Sequence, residues 1–308
     1  YGKGASWGDN AVLYRMNAQS HQIEQAFKRN GIPYKIFGGT GFFDRAEIKD
    51  MLAYLCVIAS PDDDLRLGRI INNPPRGIGA KSIETAAAIA HENNCSLFSV
   101  ISKADLYPDL SRAAPRMLLF AGMINELMAQ KDELAPDLLY DQLVERTGYL
   151  RMLEEKHTVE DDARAQNIKE LKSSIINYKG ETDNPTLEGY LADVALYTDM
   201  DNYDENADCV VMMTMHSAKG LEFPNVFVVG CEEGIFPGIK AIGEADEMEE
   251  ERRLCYVAIT RAKKRLFLSC ARQRMLFGRT TANRVSRFID EIPEEHLEKR
   301  NIPRGYGY

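Results

Sequence analysis

The chain has 308 residues, 44% hydrophobic and 28% charged, which is enough for two domains with separate apolar cores. Its formal charge of −9 excludes a uniformly basic nucleic-acid coat, and no apolar run approaches the about 20 residues that span a bilayer. No secretory leader opens the sequence, and its first residue is Tyr1, so a piece of a longer cytoplasmic protein is expected. The six cysteines (Cys56, Cys95, Cys209, Cys231, Cys255, Cys270) form no C-x-x-C pair. Most lie in apolar runs and are expected to be reduced core thiols rather than metal ligands.

In chain order, Ala-Val-Leu-Tyr-Arg-Met over 11–16 is expected to be a short buried strand, followed by a helix over about 18–30. The turn Asn30-Gly31-Ile32-Pro33 ends that helix, and 34–37 forms a second strand. Strand, helix and strand with short links signal a parallel α/β unit. Asp44 and Glu47 have the spacing of a capping box, after which Ile48, Leu52, Leu55 and Ala59 mark one helical face. Helical periodicity continues to about Tyr197, with Ile168, Leu171, Ile175 and Tyr178 in one stripe and Leu187, Leu191 and Val194 in another. The acidic, Asn-rich stretch 199–208 is the expected hinge. Strands return at 209–215 and 226–229, then a helix over about 248–264 and a strand at 266–270.

Charge is unevenly placed. Six acids and no base occur from Glu244 to Glu251, and nine bases and no acid from Arg261 to Arg287. Such runs are usually solvated faces, and a phosphate-facing surface needs other support.

Two segments carry the chemistry. In Thr214-Met215-His216-Ser217-Ala218-Lys219-Gly220-Leu221-Glu222-Phe223 a strand ends and a small-residue loop follows. A polar cluster is thereby expected at the carboxyl end of the strand, where open parallel sheets bind ligands. Taken alone it could equally be a plain turn. In Glu249-Glu250-Glu251-Arg252-Arg253-Leu254-Cys255-Tyr256-Val257-Ala258-Ile259-Thr260-Arg261-Ala262 the apolar positions give a helix a buried side and set Arg261 near its end. There Arg261 could simply complement the helix dipole, or it could be an arginine finger on a terminal phosphate.

Together the two segments resemble motifs V and VI of superfamily-1 DNA helicases of the UvrD/PcrA/Rep kind. The likeness extends through Ala11-Val12-Leu13-Tyr14-Arg15-Met16-Asn17-Ala18-Gln19-Ser20, Phe43-Asp44-Arg45-Ala46-Glu47-Ile48-Lys49-Asp50, Arg76-Gly77-Ile78-Gly79 and Ser286-Arg287-Phe288. It implies an α/β fold in which a partial RecA-like parallel-sheet domain (1–40 and 200–308) is interrupted by an all-helical inserted subdomain (41–199). It also implies the C-terminal portion of an ATP-dependent 3′-to-5′ helicase of repair or replication. ATP would lie between this domain and a first RecA-like domain, whose phosphate loop and Mg2+ ligands lie outside this sequence. No G-x-x-x-x-G-K-[S/T] loop occurs here, so the chain alone is expected to be inactive.

By the same resemblance Arg261 is the arginine finger, Glu222 contacts the ribose and Gly220 keeps the loop close to the nucleotide. Arg15, Asn17, Thr214, His216 and Phe277 follow single-stranded DNA, with Phe277 as a base-stacking ring. Gly77, Ile78 and Gly79 form a helix-hairpin-helix turn on duplex phosphate. Partners implied are single-stranded DNA, duplex–single-strand junctions, the first RecA-like domain and repair or transcription proteins, with no membrane. Two positions depart from the family pattern: Gly238 replaces a polar residue that can touch DNA, and Val285 replaces a proline. A helicase–nuclease subunit of the RecB/AddA type and a DNA- or protein-binding module without its own catalysis are the competing readings. The compact insertion and the lack of nuclease-like acids weigh against the former.

Overall fold

The computed structural model describes residues 6–199 and 208–300. They divide into two compact units, one of 6–39, 208–274 and 280–300, the other of 40–199 and 275–279. The expected hinge at 199–208 lies almost wholly outside the described residues.

The chain opens with β1 (Asn10–Tyr14), α1 (Ser20–Arg29) and β2 (Tyr34–Ile36). The four residues Ala11 to Tyr14 are buried on both faces, as a central parallel strand requires. Gly31, at φ +61°, closes α1 by donating its N–H to the Lys28 carbonyl at 3.1 Å.

Among the described residues nine α-helices follow: α2 (Ala46–Ala59), α3 (Asp64–Ile70), α4 (Ala80–Glu92), α5 (Leu97–Ile101), α6 (Ala114–Gln130), α7 (Pro136–Thr147), α8 (Tyr149–Glu154), α9 (Val159–Glu181) and α10 (Leu187–Asp199). The expected capping box does not form. Asp44 pairs with Lys49 at 2.8 Å, while Glu47 accepts the Asn167 amide from α9 at 2.7 Å. The single apolar face expected for α2 is too narrow. Met51, Ala53, Tyr54, Val57 and Ile58 are buried besides Ile48 and Leu55, because α2 runs through the middle of the helical core. Buried tyrosines give this core its polar ties: Tyr140 donates to the Ile168 carbonyl at 2.8 Å and Tyr149 to the Asp50 carboxylate at 2.6 Å. Buried, and bonded to that carboxylate, the Tyr149 phenol is pushed far above its ordinary pKa.

The sheet then resumes with β3 (Val210–Thr214), β4 (Phe223–Val229), α11 (Ala245–Ile259) and β5 (Ala262–Ser269). A hairpin of β6 (Arg274–Leu276) and β7 (Arg279–Thr281) and the short α12 (Arg287–Asp290) complete the described chain. The main sheet is parallel throughout, in the order β2-β3-β1-β4-β5. Its core gathers Leu13, Met213, Met215, Ala218, Val226 and Leu254 with Phe288, whose ring meets Phe236 edge-on at 5.3 Å. The helix expected at 248–264 ends at Ile259, and β5 begins at Ala262, so Arg261 lies in the turn between them.

Of the cysteines, Cys209 and Cys231 are buried and all six are unpaired. Cys56 and Cys255 are half-buried and Cys95 and Cys270 exposed, so two of the six are core thiols where most were expected to be. Among the described residues no helix is long and apolar enough to cross a membrane.

Candidate functional site

Strand register separates the expected site residues of the sheet unit into two groups. β1 pairs with β3 from Ala11↔Val211 to Tyr14↔Thr214, and with β4 from Asn10↔Asn225. The strands being parallel, Thr214 ends β3 and Arg15, Asn17 and His216 lie just beyond the carboxyl ends. Glu222 and Arg261 precede β4 and β5 and lie at the amino ends. The loop 215–222 therefore travels the length of β1, and the burial of Met215 and Ala218 beside Ala11 and Leu13 holds it down. Expecting the whole Thr214–Phe223 cluster at the carboxyl end was wrong on this point, because a β3-to-β4 connection without a helix must cross the sheet face.

At the amino ends, Arg261 makes three hydrogen bonds. Its Nε donates to the Val257 carbonyl at 2.9 Å, Nη1 to the Leu221 carbonyl at 3.0 Å and Nη2 to the Thr260 hydroxyl at 3.0 Å. It thus caps α11 and also grips the loop 215–222. A guanidinium has five N–H donors, and two remain without a partner among the described residues. The Arg261 carbonyl accepts the Phe223 N–H at 2.9 Å, which sets Glu222 directly before the paired strand. Glu222 is exposed, 3.5 Å from the Lys263 ammonium. Gly220 has φ +87°, a conformation that favours glycine, and a Cβ there would meet nothing within 4 Å. Backbone shape alone accounts for this glycine.

At the carboxyl ends, Arg15 is held by Glu251 of α11, with Nε and Nη2 at 2.8 and 2.7 Å from the same oxygen. The other Glu251 oxygen accepts the Gly238 N–H at 3.1 Å. Gly238, where the family pattern has a polar side chain, thus meets Glu251 through its backbone. Sequence reading missed Glu251 by treating it as one of an acidic run. Its signal is helical phase: Met248, Glu251, Leu254 and Ala258 form one stripe, and all four are buried. Asn17 begins a 3-10 turn whose Gln19 side chain accepts the Arg15 and Met16 N–H groups at 3.0 and 2.9 Å. The Thr214 and Ser217 hydroxyls are 2.9 Å apart. His216 is an exposed residue whose imidazole pKa is lowered, first by partial desolvation and then by Arg15, so it is neutral at neutral pH.

The basic run does not form one phosphate-facing stripe. Arg274 is bound to buried Glu232 at 2.7 Å, and Arg287 to Glu233 at 2.6 Å.

In the helical unit, Gly77 has φ +70° and lies under Arg116, while Gly79 has an ordinary backbone and open space at its Cβ. Gly79 is the N-cap of α4 and is exposed. Ile78 is fully buried and its N–H donates to Asn72 Oδ1 at 3.2 Å. Its side chain braces the turn from within. Phe277 is half-buried at the tip of the β6–β7 hairpin, with φ +55° followed by Gly278 at +72°. Among the described residues no group of three His, Cys, Asp or Glu is arranged to hold a metal ion.

A parallel sheet carrying a crossing loop, a capped α11 and an inserted helical unit defines a RecA-like α/β domain with a helical insertion. Residues 2–273 match the UvrD-like helicase C-terminal domain, and the chain belongs to that family. It is 44% identical over 299 residues to the ATP-dependent DNA helicase PcrA of Bacillus subtilis, covering 95% of this chain and 40% of that protein. The PcrA of Staphylococcus aureus strain Mu50 is 44% identical over 303 residues, covering 97% and 41%. That of Staphylococcus epidermidis is 43% identical over 299 residues, covering 96% and 41%. The chain thus spans about two fifths of the length of these relatives.

Proposed function

We propose that this chain is the C-terminal motor portion of an ATP-dependent 3′-to-5′ DNA helicase, contributing an arginine finger and part of a single-stranded DNA track. The observation that carries the reading is the meeting of Arg261 with the Gly220–Glu222 loop, 3.0 Å from guanidinium to Leu221 carbonyl. The two remaining Arg261 donors suit a γ-phosphate, where a fixed fork stabilises charge that develops as the phosphoryl group leaves. Exposed Glu222 can accept from a ribose hydroxyl. When bound, ATP with Mg2+ supplies the phosphoryl transfer, and the phosphate loop and Mg2+ ligands would come from a first RecA-like domain of the same polypeptide. At the opposite strand ends, Arg15, Asn17, Thr214 and neutral His216 form a polar track for single-stranded DNA; in the helical unit, Phe277 by itself offers a ring on which a base can stack.

The test compares a polypeptide holding both motor halves with this chain alone. The former should hydrolyse ATP on adding single-stranded DNA and unwind duplexes with a 3′ tail. The chain alone should show no DNA-stimulated turnover. Robust hydrolysis by the chain alone, abolished by a substitution within it, would overturn the reading, as would unwinding that needs a 5′ tail.

The Gly77–Gly79 turn is proposed to meet duplex phosphate through the N–H groups that open α4. Gly79→Leu fits the backbone and the space, so melting should not change. Affinity for a duplex–single-strand junction should fall about tenfold or more, the worth of one hydrogen bond to a charged group. Binding to plain single-stranded DNA should hold. Equal losses on both would mean that the turn does not act on duplex.

A further inference from the structure

Phe277 occupies a backbone conformation that a bulky residue adopts only under constraint, and the constraint is visible. β6 and β7 are joined by a two-residue loop, Phe277-Gly278, with both residues at positive φ. Such loops favour Asn-Gly, and a phenylalanine in the first position costs conformational energy. Both N–H groups of the loop are taken by α9. The Phe277 N–H donates to the Glu170 carboxylate at 2.8 Å, and the Gly278 N–H to the Ser173 hydroxyl at 2.8 Å. Ser173 in turn donates to the same Glu170 oxygen at 3.0 Å. Glu170 and Ser173 are both fully buried. A Cβ on Gly278 would come within 2.7 Å of the Lys172 stem, so the loop lies flat on α9.

We propose that Glu170 is a positioning residue for DNA binding: it fixes the hairpin tip on α9 of the helical insertion, and so presents the Phe277 ring to a base. This rests on reading Phe277 as a stacking surface. A carboxylate is the fitting group for the task. Charge strengthens its bonds to N–H donors, and burial removes the water that would compete for them. With those two bonds gone, the loop can relax to negative φ and carry the ring elsewhere. Met275–Arg279 groups with the helical unit rather than with the sheet, so the stacking ring belongs to the insertion although its strands leave from the other unit.

The experiment measures the affinity of the polypeptide holding both motor halves for an oligothymidylate, by fluorescence anisotropy, in a double-mutant cycle. Phe277→Ala should weaken binding about tenfold, the worth of one base–aromatic stack. Glu170→Ala should weaken it to a similar degree and add nothing in the Phe277→Ala background. Glu170→Gln keeps an acceptor for the Phe277 N–H and should retain most of the affinity. If Glu170→Ala melts below the assay temperature, Ser173→Ala takes its place in the cycle, since it frees the Gly278 N–H. Additive losses would show that Glu170 acts on the fold at large and overturn the proposal. An unchanged affinity in Glu170→Ala beside a loss in Phe277→Ala would also overturn it, leaving Phe277 as a stacking ring. No loss in Phe277→Ala would overturn the stacking reading itself, and this proposal with it.

Discussion

In the polypeptide that holds both motor halves, Arg261→Ala is expected to lower ATP turnover about a thousand-fold, in the range that arginine fingers supply. The loss should fall on kcat far more than on ATP affinity, because the guanidinium matters most as charge develops on the transferred phosphoryl group. Single-stranded DNA binding should be retained, since Arg15, Thr214 and His216 lie at the other ends of the strands. Arg261→Lys keeps the charge and should recover little. A single ammonium cannot hold the Val257 and Leu221 carbonyls and still offer a paired fork to a phosphate. Some stability should be lost, because the α11 end and the motif V loop give up their shared donor, so melting is measured alongside turnover. Turnover within tenfold of the parent would reduce Arg261 to a helix cap.

Much of the architecture was legible because its signals are local. The buried run Ala11–Tyr14, the stop at Asn30-Gly31 and the stripe Ile168, Leu171, Ile175 are periodic patterns that a single element enforces. The misreadings arose where long-range pairing decides. Asp44 and Glu47 have capping-box spacing, but Lys49 and Asn167 offered better partners. Arg261 was assigned to a helix whose apolar stripe continues, whereas pairing of Ala262 with Phe223 draws the chain into β5 one residue later. The candidate site was legible as a set of residues and not as a geometry. Nothing local to Thr214–Phe223 says that its two ends lie at opposite ends of the sheet.

The buried carboxylates were the least legible. Glu251 was read as one of an acidic run, and nothing in the sequence singled out Glu170 or Glu232. Each is instead the acceptor for groups far away in the chain: the hairpin tip, Arg274 and Arg15. A carboxylate is buried only where donors converge on it, and those donors are distant in sequence. Of the three, only Glu251 betrays itself, by its place on the α11 stripe.

Arg76 opens the Arg76-Gly77-Ile78-Gly79 turn, and its substitution should lower stability rather than DNA affinity. Its Nη1 donates to the carbonyls of Ile70, Ile71 and Pro74 at 3.0, 3.3 and 3.1 Å, and its Nη2 to the Tyr54 hydroxyl at 2.7 Å. The guanidinium carbon is 5.0 Å from the Phe120 ring centre and 5.8 Å from that of Tyr54. Tyr54 donates its own O–H to the Asn73 carbonyl at 2.7 Å, and burial pushes its pKa up to about 12, so it stays a neutral donor. One cation thus closes the α3-to-α4 turn and stacks on the α6 aromatic beneath it. Arg76→Met keeps the apolar stem but strands buried carbonyls, at a cost of about 3 kcal/mol. Arg76→Lys should recover less than half of this, because an ammonium cannot span three carbonyls or lie flat against Phe120. Urea unfolding of the 308-residue chain reads the difference directly. If Arg76 were instead a phosphate contact, the unfolding midpoint would stay put and the salt slope of duplex binding would fall by about one. That pattern would sink the structural assignment of Arg76.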